Sequence, residues 1–185
     1  MILKYTGKKN YAPKLPAVLS GAGATLGKPS IEDYLVVRID SREQNPLEFP
    51  DDYCKAGRGT VDVFDYCLEG DTDWAVERKS REDFIQAVAL SSSWRRELAK
   101  IAKAQSWLLP VVYVCEFHYK DIGTYDYARF ASGRVTPQYI RRRVAELIYD
   151  HGVEVAFMGD RETAAYFILT LLKRRKESLK QRGAR

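Results

Sequence analysis

The 185-residue sequence has few of the residues that build disulfide frameworks and zinc sites. It contains three cysteines, an odd number with no C-x-x-C pair, and only two histidines. Neither a disulfide framework nor a zinc site is predicted, and we expect buried, reduced thiols. Long apolar runs are also missing: none approaches the ~18 residues of a spanning helix, and the N-terminus has no signal-peptide core. We therefore expect an intracellular, cytoplasmic protein without a membrane partner.

Positive charge exceeds negative charge, with 30 Lys and Arg residues against 25 Asp and Glu residues. The excess is concentrated in residues 141–143 and 173–185, a distribution that suits a polyanionic partner. A solvated basic helix face is the alternative for both segments. The hydrophobic fraction of 45% is enough to build one core in a chain of this length.

Three segments are predicted along the chain. Residues 1–30 contain Pro13, Pro16 and a Gly-Ala stretch without a sustained period, which favours a flexible or extended N-terminal arm. Residues 31–176 carry the periodic segments of a folded domain. Residues 177–185 form a basic C-terminal tail.

Short segments rich in β-branched and aromatic residues predict five strands. They lie at residues 35–39, 60–68, 74–78, 111–115 and 153–158. Helices are expected between the later strands, because Ser80 has capping-box spacing with Asp83 and Thr136 precedes a proline at the first helical position. A last helix runs from about Glu162 into the basic tail. This order of elements indicates an α/β fold, with a mixed sheet flanked by helices.

Residues 76–84 place a group of charges inside apolar sequence. If residues 74–79 form a strand, Glu77 and Lys79 point to one face, because side chains alternate along a strand. A carboxylate beside an ammonium, joined by an acidic residue from a neighbouring strand, suits metal-assisted phosphodiester hydrolysis. For this pair alone, a surface ion pair is the more frequent explanation.

Flanking residues extend this pattern over most of the chain. Ile39-Asp40-Ser41-Arg42-Glu43 is followed by Phe64-Asp65-Tyr66, by Glu77-Arg78-Lys79 and by Asp83. In order and spacing, these segments resemble the V-D-x-R-E and GDxnERKxxxD motifs of the XPF/Hef structure-selective DNA endonucleases. The resemblance covers residues 35–176, and residues 42–50 look like the variant found in bacterial and phage-type members.

The resemblance implies a restriction-endonuclease-like fold, Mg²⁺ or Mn²⁺ as cofactor, homodimerisation, and cleavage of branched DNA at a flap, fork or junction in repair, recombination or replication. It favours a bacterial or phage-infected host over a nucleus. In this interpretation Asp65 and Glu77 bind the metal, and Lys79 orients or deprotonates the attacking water. Arg42 and Arg78 neutralise phosphate and fix the carboxylates.

Three acidic residues complete the predicted catalytic set. Asp40 and Glu43, beside Arg42, are interpreted as residues that hold the metal ligands, with turn residues as the alternative. Asp83 either supports the active site or caps the helix after Ser80. The residues expected to contact DNA are Arg42, Arg78, Arg95, Arg96, Arg141 and Arg142.

Three departures from the family pattern affect the functional prediction. Phe64 replaces the family glycine, residues 91–93 are serines where Gly-Arg is often found, and the sequence contains no recognisable helix-hairpin-helix module or helicase domain. A partner that supplies targeting domains is therefore considered. The alternative functions are a non-catalytic DNA-binding or scaffolding member of the same fold and a sequence-specific restriction enzyme.

Two aspartates compete for the metal-ligand position, because the literal Gly-Asp is Gly70-Asp71 whereas the family spacing selects Asp65. A hairpin with its loop at residues 70–72 would place Asp65 opposite Glu77, with Cβ atoms ~5 Å apart. Asp71 would then lie ~20 Å away, too far to share the ion. The sequence therefore predicts Asp65 as the ligand.

Overall fold

The computed structural model describes residues 34–50, 52, 54–107, 109–130 and 134–183. The predicted arm, residues 1–30, lies outside the described residues. Within them, one sheet of six strands is present, in the order β2-β1-β3-β4-β5-β6. Its strands are β1 (Leu35–Asp40), β2 (Cys54–Gly59), β3 (Tyr66–Leu68), β4 (Val76–Lys79), β5 (Val111–Cys115) and β6 (Val153–Phe157).

The sheet is mixed. β1 runs parallel to β2 and antiparallel to β3, β3 and β4 form an antiparallel hairpin, and β4, β5 and β6 run parallel to one another. This arrangement confirms the predicted α/β fold with a mixed sheet flanked by helices. The carboxyl ends of β4 and β5 lie side by side, so Lys79 and the residue that follows β5, Glu116, meet at one edge of the sheet.

Helices cover both faces of the sheet. They are α1 (Arg81–Ala89), α2 (Ser91–Ala104), α3 (Pro137–Tyr149) and α4 (Arg161–Gly183), with a 3-10 helix at Tyr119–Thr124. Both expected caps are present: Asp83 N donates to Ser80 Oγ at 3.1 Å, and Tyr139 N donates to Thr136 Oγ1 at 3.2 Å. α4 continues through residues 177–183 of the predicted tail.

The apolar residues form two cores, one on each face of the sheet. α1, α2 and α3 bury Phe84, Ile101 and Leu147 against one face. α4 buries Ile168 and Leu172 against the other. In the part of the chain that the structure describes, no helix combines the length and apolar character needed to cross a bilayer.

One strand of the sheet was not predicted, and one strand prediction is wrong in part. β2 was not predicted, because its sequence C-K-A-G-R-G has two glycines and no β-branched residue. Of the predicted strand at residues 60–68, only β3 forms, because the chain bends before it and Phe64 adopts a left-handed φ of 72°. The other four predicted strands are confirmed to within two residues at either end.

Candidate active site

Asp65 and Glu77 lie opposite each other across the β3–β4 hairpin. Tyr66 pairs with Val76, and Asp65 N donates to Val76 O at 3.0 Å, so residue 65 faces residue 77. Arg78 N donates to Asp65 Oδ2 at 2.8 Å, which fixes this carboxylate against β4. The predicted register is confirmed, although the loop between the two strands is longer than three residues.

The two oxygens of the Glu77 carboxylate have different surroundings. Oε1 receives two ammonium groups, from Lys79 Nζ and Lys100 Nζ, each at 2.6 Å. Oε2 is buried and has no hydrogen-bond partner among the described residues. A buried acceptor without a partner costs about 1–3 kcal/mol, and more when it is charged. Glu77, which is 2% exposed, therefore presents a free lone pair that a cation could satisfy.

The neighbouring carboxyl, Asp65, is buried beside the Glu77 carboxylate, which disfavours its charged form. Desolvation and the nearby Glu77 carboxylate raise the pKa of Asp65 well above its usual range, and the hydrogen bond from Arg78 N offsets this only in part. Two carboxylates that share a low-dielectric site repel each other unless a cation lies between them. The pair therefore has the electrostatics of a cation-binding site.

Lys79 is held from two sides. Its Nζ lies 2.6 Å from Glu77 Oε1 and 3.1 Å from Glu97 Oε1, and the Tyr113 hydroxyl donates to that Glu97 oxygen at 2.7 Å. Burial alone would lower the pKa of Lys79, but the two carboxylates outweigh burial and raise it. Lys79 is therefore a charged donor in a fixed position and is not suited to deprotonate water.

A cavity of about 770 Å³ opens over these groups. Asp65, Glu77 and Lys79 form its floor, while Arg42 and Lys100 are among the residues of its walls. The Arg42 side chain is 71% exposed, in contrast to the buried floor. The cavity thus places two carboxylates on its floor, and its walls include exposed cations beside acidic residues. This arrangement suits a bound metal ion beneath a phosphate group.

The ERCC4 domain family matches residues 24–171, which is most of the chain. The chain belongs to the ERCC4 domain family. Solved structures with a similar fold include XPF from Aeropyrum pernix (19% identity, TM-score 0.57) and the same protein in complex with DNA (19%, 0.56). These matches cover 79% and 78% of this chain and 67% and 66% of the respective XPF chains. They confirm the predicted resemblance to the XPF nuclease domain and its fold, whereas none of the curated proteins matches.

Within this ERCC4 domain, Asp40 holds Arg42. Arg42 donates to Asp40 through its backbone N at 2.7 Å and through Nε and Nη2, both at 2.8 Å, and Val61 N adds a fourth bond at 3.0 Å. Burial would raise the pKa of Asp40, but these hydrogen bonds lower it. With its carboxylate fully engaged, Asp40 positions Arg42 rather than a metal ion.

Arg78 lies at the centre of a buried ion-pair network. Its Nε and Nη2 donate to the two oxygens of Glu116 at 2.8 and 3.1 Å, and its side chain is 4% exposed. Arg161 Nη1 lies 3.1 Å from the same carboxylate, and Glu43 Oε2 lies 3.6 Å from Arg78 Nη1. Because its guanidinium is buried and already paired, these contacts favour a positioning role for Arg78, and its phosphate contact stays a prediction.

Asp83 takes part in both of its predicted arrangements. Its backbone N donates to the capping oxygen of Ser80, and the Ser80 hydroxyl donates to Asp83 Oδ2 at 2.6 Å. The same carboxylate lies 3.8 Å from Arg78 Nη1 and borders the cavity. Asp83 is thus a capping residue at the rim of the site.

The remaining arginines that were predicted to contact DNA lie outside the cavity wall. Arg95 and Arg96 are exposed on α2, and Arg142 is exposed on α3, where it pairs with Glu146 at 3.0 Å. Arg141 is half-buried, with its guanidinium carbon 5.9 Å from the Tyr119 ring centroid. Their contact with DNA stays a prediction.

The residues present fit a hard divalent cation. The pair of carboxylates offers oxygen ligands, and Glu77 Oε2 has no other partner, which suits Mg²⁺ or Mn²⁺ rather than a soft metal. Among the residues that the structure describes, no cluster of three or more His, Cys, Asp or Glu side chains surrounds a common point. An ion bound by two carboxylates would keep open positions for water and phosphate, as Mg²⁺ commonly does.

Sequence reasoning missed four residues of this site: Glu97, Lys100, Glu116 and Arg161. Two of them left a signal in the sequence. Glu97 lies on the apolar stripe of α2 with Trp94 and Ile101, where a lone charge is unusual. Glu116 directly follows the buried strand β5. Lys100 and Arg161 were not distinguishable from surface charges.

Proposed function

We propose that this ERCC4 domain is a metal-dependent endodeoxyribonuclease that hydrolyses a phosphodiester bond in branched DNA at a flap, fork or junction. The observation that carries the proposal is the unpartnered Glu77 Oε2 beside Asp65, at the floor of a cavity whose walls include Arg42 and Lys100. A buried polar atom without a hydrogen-bond partner is costly, so such an atom is a candidate for a functional contact.

Asp65 and Glu77 would hold the metal ion. A bound Mg²⁺ or Mn²⁺ supplies positive charge against the charge that develops on the phosphate. Lys79, which donates to Glu77 and Glu97, orients the Glu77 carboxylate, and its fixed ammonium adds positive charge to the floor. Arg42 is exposed and anchored by Asp40, so it is suited to bind a phosphate oxygen.

We further propose that the domain works as a homodimer and that a partner supplies targeting. In α4, the apolar residues Ile168, Leu169 and Leu172 are buried in this chain's own core, whereas Tyr166 is 41% exposed. Tyr166 is therefore the residue of α4 that we propose for the dimer interface. DNA as substrate is supported by the likeness to XPF, since one of the similar XPF structures is a complex with DNA. Its branched form is part of the proposal.

The proposal is tested by incubating end-labelled flap, fork, four-way junction and plain duplex DNA of one sequence with the protein and Mg²⁺, Mn²⁺ or EDTA. We expect metal-dependent nicking near the branch point and no nicking of the plain duplex. Binding without cleavage would favour the scaffolding function, and cutting of plain duplex at a defined sequence would favour a restriction enzyme.

A pair of Glu→Gln variants separates loss of chemistry from loss of fold. Glu77→Gln removes the charge at the floor while keeping the shape of the side chain, and we expect it to abolish nicking. Glu154→Gln makes the same change at an exposed position on β6 and should cut normally. Circular dichroism of both variants checks the fold. Full activity of Glu77→Gln would refute the assignment.

A further inference from the structure

Two lysines contact one carboxylate oxygen at the floor of the cavity, and their side chains differ in how freely they can move. Lys79 and Lys100 each lie 2.6 Å from Glu77 Oε1, but their side chains are 10% and 39% exposed. The family motif supplies Lys79, whereas Lys100 comes from the middle of α2. Their different surroundings indicate that the two lysines have different roles in the site.

Lys79 cannot easily leave its position. It lies between Glu77 and Glu97, and Glu97 is itself buried and accepts a hydrogen bond from the Tyr113 hydroxyl at 2.7 Å. Moving the Lys79 ammonium toward solvent would leave the Glu97 carboxylate, which is 5% exposed, with one fewer partner. A buried charge that loses its partner is costly, so Lys79 stays on the floor.

The Lys100 side chain is fixed by fewer ion pairs than that of Lys79. Its ammonium pairs with Glu77 and lies 5.5 Å from the centre of the Phe64 ring, at the wall of the open cavity. A lysine side chain has a flexible four-carbon stem, so its ammonium can swing from the floor toward the cavity mouth at little cost. Lys100 is the cation beside Glu77 that can move.

We propose that Lys100 is the displaceable cation of this site: it neutralises Glu77 in the metal-free protein and contacts the scissile phosphate once a metal ion occupies the carboxylates. With a divalent ion held by Asp65 and Glu77, the Lys100 ammonium would be repelled from Glu77 and would be free to contact the anionic substrate. This inference rests on the proposed function. It assigns the phosphate contact to Lys100 and leaves Lys79 as the positioning residue.

The first test measures metal binding without DNA, so it does not depend on cleavage. Mn²⁺ is titrated by calorimetry into wild type, Lys100→Met and Lys103→Met. Lys103 is the matched control, because it lies one turn along α2 and pairs with the exposed Asp62 at 3.5 Å. We expect Mn²⁺ to bind Lys100→Met about tenfold more tightly, a change of about 1.4 kcal/mol, because no ammonium competes for Glu77.

The second test measures cleavage at saturating Mn²⁺ and saturating DNA. Loss of one cation that stabilises the transition state lowers kcat by roughly 100-fold, so we expect that loss in Lys100→Met and partial recovery in Lys100→Arg. Tighter metal binding combined with slower cleavage is a pattern that a merely structural lysine would not produce. Unchanged or weaker Mn²⁺ binding by Lys100→Met would overturn the inference, as would an unchanged kcat.

Failure of the proposed function is distinguishable from failure of this inference. If wild type binds Mn²⁺ but cuts no DNA, the nuclease assignment and the phosphate contact are both refuted. If wild type cuts branched DNA and Lys100→Met cuts it equally fast, the nuclease assignment stands and the inference is overturned.

Discussion

Asp71, the aspartate of the literal Gly-Asp, has a structural role that can be measured. Its carboxylate accepts from Arg175 Nε at 2.6 Å and from Arg175 Nη2 at 2.9 Å, and both side chains are 3% exposed. Asp73 N also donates to Asp71 Oδ1 at 3.0 Å. This buried pair ties the β3–β4 loop to α4 on the far side of the sheet. Asp71→Ala would leave the Arg175 guanidinium buried without its partner.

The size of the effect follows from this burial. Removing one partner of a buried ion pair destabilises a protein by ~3–5 kcal/mol. Asp71 borders a small cavity of about 160 Å³ that water can enter, so we expect the lower end, ~3 kcal/mol. With a urea m-value of ~2 kcal/mol per molar, the unfolding midpoint should fall by ~1.5 M.

Urea unfolding followed by tryptophan fluorescence measures this shift, since Trp74 lies in the same loop and is buried. Asp73→Ala is the control, because Asp73 is exposed and lies two residues away. Its free energy of unfolding should differ from that of wild type by less than ~0.5 kcal/mol. The double variant Asp71→Leu with Arg175→Met should recover much of the loss, because no charge remains buried. Equal stability of Asp71→Ala and Asp73→Ala would show that the buried Asp71–Arg175 pair does not stabilise the fold.

Three further predictions concern other parts of the chain. At position 64, where φ is 72°, Phe64→Gly should be about 1 kcal/mol more stable than Phe64→Ala in the same urea assay, the reverse of the usual order. A more stable Phe64→Ala would contradict a left-handed backbone at this position. The pKa of Asp65 is raised from 3.8 to about 8, so metal-free wild type should lose stability relative to Asp65→Asn as pH rises between these values; parallel stability curves would contradict the raised pKa. Light scattering at micromolar concentration should show a dimer. A monomer would contradict the proposed homodimer and an interface at exposed Tyr166.

Much of the fold was predictable because its signals are local. β5 is a short, buried apolar run with clear boundaries, and β6 is a short segment rich in apolar residues. The caps at Ser80 and Thr136 have distinct spacing. β2 was not predictable in this way, because its place at the sheet edge depends on pairing with β1 and not on its own propensities. Phe64 adopts a left-handed backbone φ, which explains why the family motif has glycine at this position. The sequence alone does not reveal this conformation.

The site was predictable where one hairpin determines it. The spacing between Asp65 and Glu77 implies a register, and the register implies that the residues face each other. Pairings between distant elements were not predictable: Glu116 reaches Arg78 from the end of the neighbouring strand β5, and Lys100 reaches Glu77 from α2. Such contacts depend on which strands become neighbours and on how helices pack on the sheet, which no local period encodes.

We propose the Asp65–Glu77 pair as the metal centre of a DNA-cutting domain. This proposal is tested most directly by comparing nicking of a labelled flap by wild type, Asp65→Asn and Asp71→Asn, with Mn²⁺ and at a temperature where all three are folded. We predict that wild type and Asp71→Asn cut at similar rates and that Asp65→Asn does not cut. Cleavage by Asp65→Asn, or loss of cleavage in folded Asp71→Asn alone, would contradict the account.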